Sequence, residues 1–218
     1  MQNEISPANC KALYRAVNNK EYDLIEESGF KKFPPRLSWQ PIFYPVCNEE
    51  YAIEIAKWDF NTFDIRHILK FYVHEDFMKD YDVKVVGSKI HSEYWIPADK
   101  LEDFNDALAV PIIELYRIVK NYGGGVAFVK NGKVHRENGP AIEQSNGDKF
   151  WYINGKLHRE GGPASEYQNG YKEWWINGKR HREDGPAIIY SNGNKFWYVE
   201  GTRYSEEDFN NLSILKIL

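Results

Sequence analysis

The sequence predicts an α+β domain over residues 1–122, followed by an all-β antiparallel meander of 23-residue repeats over residues 123–218. Three observations support this prediction. Glycine, histidine, proline and tryptophan positions recur at a fixed interval in the second half. Each recurring unit contains turn signals that are typical of hairpins. The first half mixes helical and strand patterns without the regular alternation of a parallel α/β sheet.

The repeat is defined by one unit of sequence that returns every 23 residues. The unit reads Trp-aromatic-Ile/Val-Asn-Gly-Lys-x-His-Arg-Glu-x-Gly-Pro-Ala, and it closes with a second Asn-Gly pair. Asn-Gly favours a tight hairpin turn, because both central residues of that turn need a positive φ. The Gly-Pro pairs supply the other bends. We therefore expect two short strands per unit, with the units added one after another.

Large rings are expected on both faces of this repeat sheet, because successive side chains of a strand point to opposite faces. One row holds the tryptophans of the repeat, and the residues that follow them form a second row. A single neighbouring domain cannot bury both rows, so we expect a contact surface for a protein partner or for a second copy of the chain. The candidate partner-binding residues are Trp151, Trp174, Trp175 and Trp197.

The units at residues 133–141, 156–164 and 179–187 resemble repeat-sheet proteins of the MORN type, in the variant that carries His-Arg-Glu-x-Gly-Pro-Ala. The resemblance covers about residues 126–209. It implies a scaffold and a contact surface.

The three recurring histidines, His135, His158 and His181, do not predict a metal site. Equivalent positions lie two strands apart, which is roughly 10 Å. Zinc ligands lie about 2 Å from the metal, so they must be much closer together. We expect each His-Arg pair to satisfy turn carbonyls and to pack on the rings of the next unit.

Composition and charge exclude several classes of protein. Lys plus Arg number 28 and Asp plus Glu number 32, a net charge of −4 that argues against a nucleic-acid binder. The two cysteines, Cys10 and Cys47, fit a reducing compartment. We find no pattern of a signal peptide, and the longest apolar stretch, at residues 107–113, is too short to cross a bilayer. We expect a cytoplasmic chain that does not bind membranes, with its domain boundary at the glycine run of residues 121–125.

The first half is predicted to contain short helices and strands in irregular order. Asn18 or Asn19 can cap the first helix, Gly29 can end it, and Asn48 can cap the second. The expected helices cover residues 20–28, residues 49–58 and a segment that begins at Pro97. The expected strands cover residues 13–17, 42–44, 68–73, 83–86, 92–96 and 112–118.

Three segments of the first half together resemble the ADP-ribosyltransferase-like fold of small bacterial and phage proteins. The opening strand reads Leu-Tyr-Arg-Ala at residues 13–16. An aromatic strand, Ile-Phe-Tyr-Pro at residues 42–45, leads into a helix. A third segment, His-Ser-Glu-Tyr-Trp-Ile-Pro at residues 91–97, carries one carboxylate among aromatic rings. The resemblance covers about residues 11–118.

This resemblance implies roles for individual residues. Arg15 corresponds to the residue that holds the phosphate or ribose of NAD, and Glu93 corresponds to the catalytic glutamate. Phe43 and Tyr44 correspond to rings that stack on nicotinamide. We expect these four side chains to line one cleft. The candidate cofactor-binding residues are Tyr14, Arg15, Phe43, Tyr44 and His91, with Glu93 as the candidate catalytic residue.

Two departures from the family pattern shape the functional prediction. His91 stands where the family commonly has Glu or Gln, and no Ser-Thr-Ser segment is evident. We therefore predict a cytoplasmic inhibitor or effector that binds a nucleotide or a protein, of the kind that phages and mobile elements use for counter-defence. One alternative is an active NAD-dependent mono-ADP-ribosyltransferase with Glu93 as its catalytic residue. The other is a structural repeat protein that self-associates. NAD is a cofactor only in the enzyme alternative.

Overall fold

The computed structural model describes residues 7–58, 65–120 and 124–215. Most of its regular structure is antiparallel β-sheet, and helices are few. The prediction of an extensive antiparallel sheet is confirmed. The chain divides into two compact units, Met1–Ile118 and Val119–Leu218. The predicted boundary at the glycine run falls largely on residues 121–123, which lie outside the described residues.

In the described part of the first unit there are four α-helices, and strands of two to nine residues. Its strands are β1 (Cys10–Asn18), β2 (Ile42–Phe43), β3 (Arg66–His74), β4 (Lys84–Val85), β5 (Ser92–Glu93), β6 (Ile96–Pro97) and β7 (Ile113–Lys120). Its helices are α1 (Asn19–Glu27), α2 (Glu49–Trp58), α3 (Glu75–Met78) and α4 (Leu101–Asp106), with a 3-10 turn at Ala98–Lys100. The short helix α3 was not predicted, and the predicted strand over residues 92–96 is divided into β5 and β6.

The central strands of this unit are buried on both faces. Strand β3 pairs with β1 on one side and with β7 on the other, antiparallel in both cases. Leu13 of β1 and Leu69 of β3 are fully buried in one core with Ile25 of α1 and Phe104 of α4. On the opposite face, Tyr116 of β7 donates a hydrogen bond to a glutamate of α2. Helix α2 thus covers one face, while α1 and α4 cover the other.

Predicted caps fix the ends of two helices. The Asn18 side chain accepts a hydrogen bond of 2.9 Å from the backbone N–H of Glu21, at the start of α1. The Asn48 side chain accepts one of 2.8 Å from the backbone N–H of Tyr51, at the start of α2. Such caps satisfy backbone donors that a helix start leaves free. After α1, Gly29 adopts a φ of +70°, which glycine tolerates best.

The second unit is built almost entirely of short strands. They are β8 (Val126–Lys130), β9 (Lys133–Val134), β10 (Ile142–Glu143), β11 (Lys149–Phe150), β12 (Tyr152–Ile153), β13 (Lys156–Leu157), β14 (Ser165–Glu166), β15 (Lys172–Glu173), β16 (Trp175–Ile176), β17 (Lys179–Arg180), β18 (Ile188–Ile189), β19 (Lys195–Val199) and β20 (Thr202–Tyr204). Helix α5 (Glu206–Leu215) follows and contacts β19 and β20. Among the described residues of this unit, helix occurs only after the repeats.

Each repeat contributes strands to a main sheet and one hairpin. The main sheet runs in the order β8, β10, β11, β14, β15, β18, β19, β20, with antiparallel neighbours. The hairpins are β8–β9, β12–β13 and β16–β17. Their turns contain Asn131, Asn154 and Asn177, with φ values of +50°, +51° and +52°. The Asn-Gly pairs therefore form the predicted left-handed turns.

Candidate functional site

In the first unit, Arg15 is held by an ion pair rather than open to solvent. Its Nε lies 3.0 Å from Glu21 Oε1, and its Nη2 donates to Glu21 Oε2 at 3.3 Å. Its Nη1 donates to the backbone carbonyl of Tyr44 at 3.2 Å. The guanidinium carbon lies 4.7 Å from the centre of the Phe43 ring. Two parallel bonds to one carboxylate and a ring contact fix this side chain against the core.

A small cleft of about 200 Å³ opens beside Arg15 and is lined by the start of α1 and by the loop of residues 34–40. Arg36 reaches Glu21 Oε1 at 3.4 Å from the other side. Burial, and then the charge of Arg15, lower the pKa of Arg36, while Glu21 opposes the shift. Two guanidinium groups therefore share one carboxylate in a site with excess positive charge.

Glu93 lies on the opposite face of the sheet from Arg15. Isolated bridges pair Tyr14 with Val46, and Val46 with Glu93. Directly opposed residues of antiparallel strands share a face, so the side chains of Tyr14 and Glu93 are on one face. Arg15 follows Tyr14 in β1 and points the other way. This result corrects the expectation that Arg15 and Glu93 line one cleft.

Glu93 is 7% exposed, and its carboxylate accepts hydrogen bonds on both oxygens. The Tyr51 hydroxyl donates to Oε2 at 3.0 Å, and the indole Nε1 of Trp95 donates to Oε1 at 2.7 Å. Burial, and then its bond to Glu93, raise the pKa of Tyr51 to about 12. Tyr51 therefore stays protonated near neutral pH and keeps its donor role.

The other predicted residues divide between the two faces. Phe43 is fully buried in the core beside Arg15. Tyr44 is 39% exposed and meets Trp95 edge to face, with ring centres 6.0 Å apart. His91 stacks on Tyr51 at 4.6 Å, and its Nε2 lies 2.7 Å from a carboxylate oxygen of Glu54. The residues do not fit NAD held between Arg15 and Glu93, because that arrangement needs both groups on one side.

In the second unit, an arginine covers an aromatic ring in each of three successive repeats. The distances from the guanidinium carbon to the ring centre are 4.1 Å, 3.7 Å and 4.1 Å. Each Nη1 also donates to the carbonyl of the Gly-Pro proline, at 3.1 Å, 3.0 Å and 3.2 Å. The pairs are Arg136 on Phe128, Arg159 on Trp151 and Arg182 on Trp174.

The glycine of each Gly-Pro pair allows the arginine to approach the backbone closely. A Cβ built on Gly139 would lie 3.0 Å from the guanidinium carbon of Arg136, and one on Gly162 would lie 3.1 Å from that of Arg159. Each arginine is thus held between a ring on one side and a glycine on the other. The ring belongs to the arginine's own unit, so the prediction of packing on the next unit was wrong.

The repeat histidines join neighbouring units through the hairpin turns. In each case Nδ1 accepts a hydrogen bond from the backbone N–H of the residue 19 positions later, at 3.0 Å, 3.2 Å and 3.2 Å. The pairs are His135 with Asn154, His158 with Asn177 and His181 with Glu200. The prediction that they satisfy turn carbonyls was wrong for histidine, since each accepts from a turn amide. Across the described residues, no three His, Cys, Asp or Glu side chains are placed to bind a metal.

The four predicted partner-binding tryptophans are half-buried and have different surroundings. Trp151 and Trp174 lie under arginines, whereas Ser205 stands where Trp197 would have its arginine. Trp175 faces the other side, where its Nε1 donates to Glu173 Oε2 at 3.1 Å. The sequence predicts a row of tryptophans stacked on one side of the sheet, but no ring contact between them is present in the described part of the chain.

The ring contacts of this unit lie instead in a row of phenylalanine and tyrosine rings that was not predicted from the sequence. Adjacent centres lie between 4.9 Å and 5.6 Å apart. Its members are Phe150, Tyr167, Tyr171, Tyr190 and Phe196. A tyrosine next to the second Asn-Gly pair was the available signal, but it does not recur in every repeat.

A groove of about 410 Å³ lies between two successive repeats. Its aromatic wall is Trp174, and the guanidinium groups of Arg159 and Arg182 line it together with His181. Gly162 and Pro163 also line the groove. Glu183 and Asp184 also line the groove, and their side chains are 57% and 82% exposed. The groove therefore brings together a ring, two guanidinium groups and two exposed carboxylates on one surface.

Compared with protein families, with curated proteins and with solved structures, the chain shows no match. No helix in the described ranges has both the length and the apolar character needed to span a membrane.

Proposed function

We propose that this chain is a non-catalytic, cytoplasmic binding protein whose repeat unit holds an acidic, extended segment of a partner protein. The observation that carries the proposal is the groove beside Trp174, where aromatic and cationic groups converge between repeats. Aromatic residues and arginine contribute most of the binding energy at protein interfaces. Regular repeats also present extended surfaces that suit extended ligands.

The exposure of the carboxylate that pairs with Arg182 supports an acidic ligand. Arg136 and Arg159 are each paired with a glutamate seven residues later, at 3.0 Å and 2.6 Å. Ile189 stands at the equivalent position for Arg182. The ion-pair partner of Arg182 is instead Asp184, whose side chain is 82% exposed. A solvent-exposed partner contributes little, so a carboxylate of the bound segment can replace it.

A peptide-display selection on the immobilised full chain tests this proposal. We expect acidic peptides that contain an aromatic or aliphatic residue, and we expect Trp174→Ala to reduce their affinity at least tenfold. Arg182→Gln should reduce the affinity for acidic peptides severalfold, and the loss should be larger for peptides that carry more negative charge. Trp39→Ala is the matched control, because Trp39 is 73% exposed and lies in the first unit. Peptides that bind the Trp174→Ala variant unchanged would contradict the proposal, as would self-association that buries this groove.

We also propose that the first unit is an α+β domain and the second an all-β array of MORN-like repeats. The distribution of α1–α4 supports this assignment, since all four belong to the first unit. An ADP-ribosyltransferase-like fold and a counter-defence role remain proposals from the sequence resemblance.

A second candidate function is capture of a nucleotide phosphate at the cleft beside Arg15. The excess positive charge of Arg15 and Arg36 over Glu21 favours it. Calorimetric titration with ADP-ribose tests it, and Arg36→Gln should abolish any binding. Turnover is tested separately with labelled NAD. We expect no release of nicotinamide, because both oxygens of Glu93 are already bonded and face away from this cleft.

A further inference from the structure

The aromatic rings around Glu93 form a second surface that the proposed function does not use. We propose that this surface binds an organic cation with an alkylated ammonium group. We call it the Glu93 corner. Its members are Glu93, Tyr44, Tyr51, Trp58, His91 and Trp95.

Two residues of the Glu93 corner are buried, and the aromatic rings around them are exposed. Glu93 and Tyr51 are 7% and 5% exposed, whereas Tyr44, Trp95 and Trp58 are 39%, 46% and 65% exposed. Tyr44 and Trp95 meet at an interplanar angle of 87°. Tyr51 and Trp58 meet at 67°, with ring centres 6.3 Å apart. Trp95 and Tyr51 both donate to the Glu93 carboxylate. Because His91 stacks on Tyr51 at 4.6 Å, the rings that remain exposed beside this negative charge are Tyr44, Trp95 and Trp58.

The charge of Glu93 is not balanced by a cation. Both of its hydrogen-bond donors are neutral groups, and no ion pair to Glu93 occurs within the described ranges. Lys84 stands directly opposite Glu93 in the β4–β5 pair, but its ammonium lies 3.9 Å from Asp82. A carboxylate that is buried without a counter-ion attracts a cation strongly, since desolvation has already weakened its hydration.

The rings define the kind of cation. Faces of Trp and Tyr attract positive charge, and an alkylated ammonium is the ligand that aromatic cages typically recognise. Such a group has a weak hydration shell and needs few hydrogen bonds. A hard metal ion would need several oxygen ligands, and the described residues offer no such cluster. The indole N–H of Trp95 already bonds to Glu93, so cation binding should perturb its environment directly.

The indole region of the ¹⁵N–¹H NMR spectrum of the full chain provides the test. Choline is the probe, and 3,3-dimethylbutanol is its uncharged equivalent of nearly the same shape. We expect choline to shift the Trp95 indole signal, identified by its loss in Trp95→Phe. The Trp39 signal should remain unchanged. A neutral peptide with one trimethyllysine, compared with its unmodified form, distinguishes a protein side chain from a small-molecule ligand.

Two variants decide the outcome. Glu93→Gln should weaken choline binding at least tenfold, and Tyr44→Ala should weaken it severalfold. Tyr44 is exposed, so the second variant keeps the test valid if the first does not fold. The proposal is overturned if 3,3-dimethylbutanol binds as well as choline, if choline leaves the Trp95 signal unmoved, or if Tyr44→Ala binds choline with full affinity.

Discussion

An ion pair between a buried glutamate and a half-buried arginine occupies two positions that are apolar in the preceding repeat, and it provides a quantitative test of how repeats stack. Glu173 and Arg180 stand where the preceding unit has Phe150 and Leu157. Glu173 is 7% exposed. It accepts hydrogen bonds from the Tyr171 hydroxyl at 2.6 Å and from Arg180 Nη2 at 2.9 Å. Burial, together with the bond to Glu173, raises the pKa of Tyr171.

Replacement of either partner alone should destabilise the chain, whereas replacement of both should not. Arg180→Leu leaves a buried carboxylate with neutral donors only. A hydrogen bond between charged groups contributes about 1.5–3 kcal/mol. Because the Arg180 side chain is 36% exposed, we expect a loss of about 1.5 kcal/mol, at the lower end of this range. Glu173→Phe should cost about 1 kcal/mol, since Arg180 can turn towards water.

The double variant Glu173→Phe/Arg180→Leu reproduces the apolar pair of the preceding repeat. Its free energy of unfolding should lie within about 0.5 kcal/mol of the wild type, because well-packed apolar residues substitute for a buried ion pair at little cost. The two single effects sum to about 2.5 kcal/mol, so the expected coupling energy is about 2–3 kcal/mol.

Urea denaturation of the full chain, followed by circular dichroism, measures these differences from the midpoint and the slope. Lys172→Gln is the control, because Lys172 is an exposed neighbour on the same strand and should change stability by less than about 0.5 kcal/mol. The reasoning fails if the two single effects add to within about 0.5 kcal/mol in the double variant. It also fails if Arg180→Leu alone stabilises the chain.

Three further predictions concern local features. Asn177→Ala should lower stability by about 1 kcal/mol in calorimetry, because its φ of +52° is unfavourable for alanine; an unchanged melting temperature would contradict this. Asn18→Ala should cost about 1 kcal/mol by losing its bond to the Glu21 amide, and a variant of unchanged helicity and stability would show that the cap is not needed. Tyr51 should make stability fall as pH rises from its ordinary pKa of 10.0 to about 12, because only the unfolded chain releases this proton there. In Tyr51→Phe, the free energy of unfolding should fall less over this pH range than in the wild type, as measured by denaturant unfolding. A pH profile identical to that of the wild type would contradict the assignment.

Local sequence determined the elements of this protein and the form of its repeats. Asn-Gly pairs require left-handed turns, and Asn18 and Asn48 provide side chains that cap helices, so these features could be predicted from a few neighbouring residues. The 23-residue period predicted that equivalent side chains share equivalent surroundings. It could not show that each arginine lies between a ring and a glycine, since that depends on how the chain returns after the Gly-Pro bend.

Only the tertiary structure decided which functional groups meet. Arg15 and Glu93 stand in strands predicted from sequence, but their relation depends on the register that places Val46 between Tyr14 and Glu93. A shift of one residue would exchange the two faces of a strand, and no local pattern specifies pairing between segments that are far apart in the chain. Trp95 reaches Glu93 from two residues further along the same segment, whereas Tyr51 reaches it from α2. The sequence thus determined which side chains were available for a site, and long-range strand pairing determined which of them share one.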